Sequence, residues 1–128
     1  MNLSWQMLLA VGSGGFLGAI SRFYINTIVS KNFPHTLPLA TLSVNVVGSF
    51  IIGMLIALFL HYTPSETTRV FLITGFLGAL TTYSTFAIES FFLLNSSLFY
   101  GLVNIVFNVV GSIVAAGGGY KLLLYILK

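Results

Sequence analysis

The stretch "GFLGALTTYSTFAIES", Gly75 to Ser90, decides how this chain is read. It gathers Thr81, Thr82, Ser84 and Thr85, with Tyr83, Phe86 and Glu89, into one run directly after Gly75 and Gly78. In a water-soluble protein such a run would simply be surface. Here it is embedded in a chain whose 128 residues are 57% hydrophobic and only 5% charged, far from the composition of a soluble domain. The chain therefore reads as an all-α membrane protein, with the polar run inside one of its spans.

Outward from that run, four apolar stretches stand out: Trp5 to Val29, Leu37 to Leu60, Arg69 to Leu94 and Leu98 to Leu127. Each has about 24 residues or more, enough to cross a bilayer as a somewhat tilted helix. Pro34, Pro38 and Pro64 lie in or beside the gaps, where a missing N–H costs least. The gap Asn95-Ser96-Ser97 is short enough to force helices three and four into an antiparallel hairpin. Little chain remains for anything else, so one four-helix unit is expected over residues 1–128. The first stretch has no basic segment before it and is longer than the core of a signal peptide, so it is expected to stay in the mature protein.

Zero cysteines exclude disulfides and thiolate metal sites. Five Lys and Arg against two acidic residues give a formal charge of +3, but the basic residues form no patch, so nucleic acid is discarded as a partner. With an inside N-terminus, Arg69, Lys121 and Lys128 fall inside while Arg22 and Lys31 fall towards the outside. Such a flat distribution gives the insertion machinery little direction. Two oppositely inserted copies can then pair as an antiparallel dimer; one orientation fixed by the weak bias is the alternative.

Polar residues inside spans are costly unless they face protein or a watery path. Thr41, Asn45 and Ser49 recur at four-residue steps on helix two, and Asn104, Asn108 and Ser112 do so on helix four. On helix three Tyr83 and Phe86 share a face that Glu89 and Ser90 continue, with Thr81 and Thr85 in a neighbouring row. Single Asn residues commonly glue membrane helices together, at about 0.6 kcal/mol per bond. Three parallel stripes are better explained as the lining of a path for a small polar solute, to which Thr82 and Ser84 of the same run are also assigned. Hydroxyl and amide donors, aromatic ring edges and Arg22 suit an anion, whereas a cation path would show several carboxylates or a carbonyl filter.

Gly14 and Gly18 are spaced for close helix packing. Gly75 and Gly78, ahead of "LTTYST", suggest a helix that unwinds in mid-membrane and restarts, freeing carbonyls for a cation and N–H groups for an anion. Arg22 either snorkels to the headgroups or forms an electropositive vestibule. Glu89 is a proton-relay acid, a cation partner or, as the first choice, a hydrogen-bonded structural carboxyl. His35 and His61 stand alone at loop ends, without the companion ligands that metal binding requires. No nucleophile with a base can be assembled, so an enzyme is not expected.

"TGFLGALTTYSTFAIE" resembles the third-helix signature of the Fluc (CrcB) fluoride-channel family, and "GAISRF" and "SVNVVGSFIIG" resemble its first- and second-helix motifs. The resemblance covers nearly the whole chain, in order. It implies a passive, fluoride-selective channel that confers fluoride resistance in a bacterial cytoplasmic (inner) membrane, as a multi-pass, dual-topology antiparallel homodimer with two pores. It implies aromatic pore rings at Tyr83 and Phe86, a fluoride path shaped by Asn45, and a helix-four track through Asn108 and Ser112. It also implies a sodium ion at the dimer interface, held by the backbone carbonyls of Gly78 and Thr81, and it places Arg22 and Glu89 at the family's Arg and Glu positions. Three positions depart from the pattern: Tyr83 replaces a Phe, Ala79 stands where a second glycine is common, and Ala116 ends the helix-four track without a hydroxyl. The competing reading is a small dual-topology proton-coupled exporter of the multidrug type, which would need a membrane-embedded Glu in helix one; "WQMLLAVGSGGFLGAISRFYINTIV" has none.

Overall fold

The computed structural model describes residues 2–128. Its helices are α1 (Trp5–Asn32), α2 (Leu39–His61), α3 (Glu66–Arg69), a π-helical segment (Val70–Leu77), α4 (Gly78–Leu80), α5 (Tyr83–Ser96) and α6 (Leu98–Ile126). Grouped by length and apolarity they give four candidate membrane spans: Trp5–Asn32, Leu39–His61, Glu66–Ser96 and Leu98–Ile126. The four stretches read from the sequence are these four, with shifted ends.

Local capping sets three of the helix starts and accounts for the earlier start of the third span. Ser4 accepts from the Met7 amide at 3.3 Å and opens α1. The third span begins three residues before Arg69, because Ser65 caps it by accepting from the Thr68 amide at 3.1 Å and Glu66 sits in the first turn, where a carboxylate complements the helix dipole. Only Ser97 separates α5 from α6. Its amide donates to the Leu93 carbonyl at 2.7 Å, and its hydroxyl accepts from the Tyr100 amide at 3.4 Å. Asn104 bonds Ser90 at 3.0 Å; the two are equidistant from Ser97 in sequence, so α5 and α6 run antiparallel.

The helices meet backbone to backbone at glycines. A Cβ added at Gly14 or Gly18 would overlap the carbonyl oxygen of Phe71 or Phe76, and one at Gly75 would lie 2.7 Å from the Val11 oxygen. These three glycines let α1 lie directly on the π-helical segment. On the other side Gly53 abuts the Ala116 carbonyl and Gly119 abuts the Phe50 carbonyl, so α2 and α6 lie in direct backbone contact. A small apolar core of Val44, Leu77 and Leu80, with Ile25, Phe76 and Ile52 packed against it, joins α1, α2 and the third span. Many large apolar side chains, among them Phe16, Phe23, Phe107 and Ile113, point outwards.

The interruption of the third span falls just after its glycines rather than at them. Gly75 and Gly78 both lie in helical turns, and no glycine among the described residues has a positive φ. Helical geometry stops at Thr81 (φ −81°, ψ 158°) and Thr82 (φ −147°, ψ 114°), an extended conformation open to any residue. Gly75 serves the approach of α1, and a Cβ at Gly78 would meet only the Ile73 oxygen, at 3.6 Å.

Gly53→Ala should lower stability by about 1–3 kcal/mol, because its methyl must push two helices apart. A methyl added at Gly12 would meet nothing within 4 Å, so Gly12→Ala should change stability by no more than about 0.5 kcal/mol. Thermal melts in detergent check the contrast; equal losses would mean that the glycine contacts do not set the packing.

Candidate functional site

An interruption of helix in an apolar setting exposes backbone groups that must find partners. Thr82 finds both of its partners on one side chain. Its amide donates to Asn45 Oδ1 at 2.8 Å, and its carbonyl accepts from Asn45 Nδ2 at 3.1 Å. Because the backbone donor must meet an oxygen and the carbonyl a nitrogen, Thr82 fixes the orientation of the Asn45 amide. Thr82 then starts α5, its hydroxyl accepting from the Thr85 amide at 3.3 Å and donating to Thr85 Oγ1 at 2.9 Å.

From Asn45 a chain of bonds runs in one direction. Asn45 Nδ2 donates to Asn108 Oδ1 at 2.9 Å, Asn108 Nδ2 to Asn104 Oδ1 at 3.1 Å, Asn104 Nδ2 to Ser90 Oγ at 3.0 Å, and Ser90 Oγ to the Phe86 carbonyl at 2.7 Å. The chain leaves the third span at Thr82, crosses α2 and α6, and returns to the third span at Phe86. Aligned donors polarise one another, so the links strengthen as a set. Asn104 and Asn108 are buried at 2% and 4% exposure, where a missing partner would be expensive.

Beside this chain lies a cavity of about 440 Å³. Asn45, Ser49, Thr82, Phe86, Asn108 and Ser112 line it, together with Gly78, Thr81, Tyr83 and an apolar wall that includes Ile52 and Val109. Phe86 is buried, while Tyr83 is 78% exposed and stacks edge-on against it, with ring centroids 5.5 Å apart at 70°. The cavity is open to the exterior, and Tyr83 and Ile113 in its lining are themselves largely exposed. Both hydrogens of the Asn45 amide are already engaged. The hydroxyls of Ser49 and Ser112 make no hydrogen bond to other described residues, which leaves them as free donors in the cavity.

Other residues singled out from the sequence lie elsewhere. Ser84 is exposed and does not line the cavity. Asn104 stands behind it as a link in the chain. Thr41 and Glu89 also lie outside it, paired with each other: Thr41 Oγ1 donates to Glu89 Oε1 at 2.8 Å, while Glu89 Oε2 is buried without a hydrogen-bond partner. Arg22 is half-buried, and its Nη1 donates to the Thr81 carbonyl at 3.4 Å. Among the described residues no group of His, Cys, Asp or Glu is assembled to hold a metal ion. Gly48, on the cavity wall, escapes a reading by sequence, although it lies one turn from Asn45 on the same helix.

A family model described as "CrcB-like protein, Camphor Resistance (CrcB)" matches residues 9–120. The chain belongs to the CrcB family. Its CrcB relatives include a protein of Sulfurimonas denitrificans, 57% identical over 98% of this chain and 96% of its own length, and one of Nautilia profundicola, 43% identical over 98% and 100%. A protein of Methanocaldococcus jannaschii is 45% identical over 94% and 97%. All three relatives carry the name fluoride-specific ion channel FluC.

An inner link of the hydrogen-bond chain should matter more than its last. Asn108→Leu strands Asn45 and Asn104 and should cost about 1–3 kcal/mol. Ser90→Ala should cost about 0.6 kcal/mol, the ordinary value for an interhelical bond in a membrane. Melting temperatures of the two variants read the difference, and equal shifts would show independent links.

Proposed function

We propose that this multi-pass membrane protein is a passive fluoride channel. The observation that carries the reading is the cavity that Phe86 lines together with Ser49 and Ser112, whose hydroxyls make no hydrogen bond to other described residues; its CrcB relatives named as fluoride-specific channels support the choice of ion. Fluoride sheds tightly held water only for close donors, and conduction also requires that each site release it. Single hydroxyls and positive ring edges are donors of that modest strength. Asn45, Thr82 and Asn108 hold the wall in place and Tyr83 stands at the rim. Ser84, outside the cavity, is assigned to the path nearer one mouth. Arg22 supplies positive charge beside the interruption of the third span, and Glu89 with Thr41 is a structural pair. Neither ATP nor covalent chemistry is needed, and the protein is no enzyme. The exporter reading is not favoured, as α1 carries no acidic residue.

A cavity open to the exterior needs a wall from outside the chain, and the outward-facing apolar side chains offer a surface for one. The reading is completed by a second copy, inserted the other way round, giving an antiparallel dual-topology homodimer in the cytoplasmic membrane, with the Thr81–Thr82 interruption at mid-membrane. A sodium ion at the interface fits the carbonyls of Gly78 and Thr81 in one respect that bears on its chemistry. The amide four residues after Gly78 belongs to Thr82 and is diverted to Asn45, which deprives the Gly78 carbonyl of its α-helical donor. The Thr81 carbonyl accepts one long bond, from Arg22, and keeps a second lone pair. Carbonyls left without a helical donor at a break coordinate sodium in some membrane transporters, and a bound ion here would supply fixed positive charge between the interrupted helices. The cellular role is removal of fluoride that enters as HF, hence resistance.

Purified protein in liposomes should pass fluoride down a potential and exclude chloride, and Phe86→Ile should remove most of the flux while the protein stays monodisperse. Equal chloride flux, or full flux in the variant, would defeat the reading. A topology reporter fused to the C-terminus should give signal on both sides of the membrane; one clear orientation would refute dual insertion.

A further inference from the structure

Gly48 follows Asn45 by three residues on α2 and lines the cavity. A Cβ at this position would overlap Thr81 Cγ2 and would come within 3.8 Å of Thr81 Cβ and 3.9 Å of Leu80 Cδ2. The threonine methyl thus sits in the notch left by the missing side chain. It is not free to swing out of that notch. Thr81 Oγ1 donates to the Leu77 carbonyl at 3.0 Å, and the Thr81 amide donates to the same oxygen at 3.0 Å. Turning χ1 of this β-branched residue would break the hydroxyl bond and trade one staggered well for another.

The two residues of the interruption are therefore held by one face of α2 in two different ways. Asn45 clamps the Thr82 backbone through two hydrogen bonds, and Gly48 receives the Thr81 methyl. Hydrogen bonds tolerate a shift of only a few tenths of an ångström before they weaken, so the clamp works only if the seat lets the chain come close enough. We infer that Gly48 is a positioning residue: it sets the depth at which the interrupted third span rests on α2, and through the Asn45 clamp it sets the width of the cavity beside Phe86. This rests on the proposed reading of that cavity as an ion path. A methyl at position 48 must lift Thr81, stretch both bonds between Asn45 and Thr82, and disturb the start of the chain that ends at the Phe86 carbonyl.

A double-mutant cycle tests the seat, because serine keeps the Thr81 hydroxyl and removes the methyl. Wild type, Gly48→Ala, Thr81→Ser and the double variant are compared for fluoride efflux from liposomes and for melting temperature. Gly48→Ala should cut efflux about tenfold in the wild-type background and change it by less than about twofold in the Thr81→Ser background. The drop in melting temperature caused by Gly48→Ala should likewise vanish when the methyl is absent. The inference is overturned if Gly48→Ala keeps full efflux and stability, or if it is as damaging with serine at position 81 as with threonine. Should the single variant fail to fold, recovery of folded protein in the double variant supports the seat and failure to recover refutes it. Absence of fluoride efflux from wild type would instead defeat the channel reading, and the melting temperatures would still decide whether methyl and notch are coupled.

Discussion

The paired hydrogen bonds between Asn45 and the Thr82 backbone are the constraint on which the rest of the structure depends. A helix interrupted among apolar neighbours leaves an amide and a carbonyl that water cannot reach, and each would cost several kcal/mol if left alone. One carboxamide satisfies both, since it offers an acceptor and a donor at the spacing of a peptide group. That choice also spends the amide: its second hydrogen goes to Asn108, and each following acceptor and donor then has only one way to point. A local backbone need at Thr82 thus dictates the direction of a chain that spans three helices and closes on the carbonyl of Phe86. The interruption and the Phe86 backbone are thereby linked through side chains of α2, α6 and α5.

Glycine contacts allow this polar arrangement to form. Helices in a bilayer gain little from burying apolar surface against one another, so their association relies on close packing and hydrogen bonds. Gly14, Gly18 and Gly75 bring α1 onto the π-helical segment, and Gly53 and Gly119 bring α2 onto α6. The second contact keeps α2 and α6 in register over a length that also contains Asn45 and Asn108, whose amides can only meet if the backbones are near. Close packing of small residues and the reach of short carboxamides are two sides of one geometric condition. π-helical turns are rare and tend to occur at functional sites; here the segment lies between the α1 glycines and the residues that end the helix.

Much of this is legible in the sequence because the bilayer leaves few alternatives. Long apolar runs divided by Pro34, Pro38 and Pro64 mark the four spans, and four-residue steps on helices two and four mark the faces on which Asn45, Ser49, Asn108 and Ser112 line the cavity. What spacing cannot reveal is how each polar group spends its bonds. Asn104 has the same step and the same chemistry as Asn108, yet it lies behind the cavity, because Ser90 across the tight α5–α6 turn claims its amide. Ser84 belongs with its neighbours in one continuous run of sequence, but α5 restarts at Tyr83 and the helical phase before the interruption does not carry over. Gly75 and Gly78 point to an interruption that falls after them, at Thr81 and Thr82; what the sequence does not show is that Gly75 also serves the close approach of α1, which only the neighbouring α1 carbonyl reveals. Gly48 carries no sign of its role for the same reason.

The division between engaged and free donors bears on how an anion path can be both selective and fast. Amides are the stronger recognition groups here, able to present two hydrogens, and Asn45 commits both of its hydrogens within the protein. The free donors left in the cavity are single hydroxyls, Ser49 and Ser112, which share its lining with apolar side chains and an aromatic ring. Had the amides been free, converging carboxamides would have formed a deep site, and an ion held by several donors at once leaves slowly. With the amides locked into the wall, an anion in the proposed channel would meet one hydroxyl at a time on rigid supports. In the proposed channel, rigidity would favour an ion small enough to approach those hydroxyls closely, while the modest strength of each contact would let it move on.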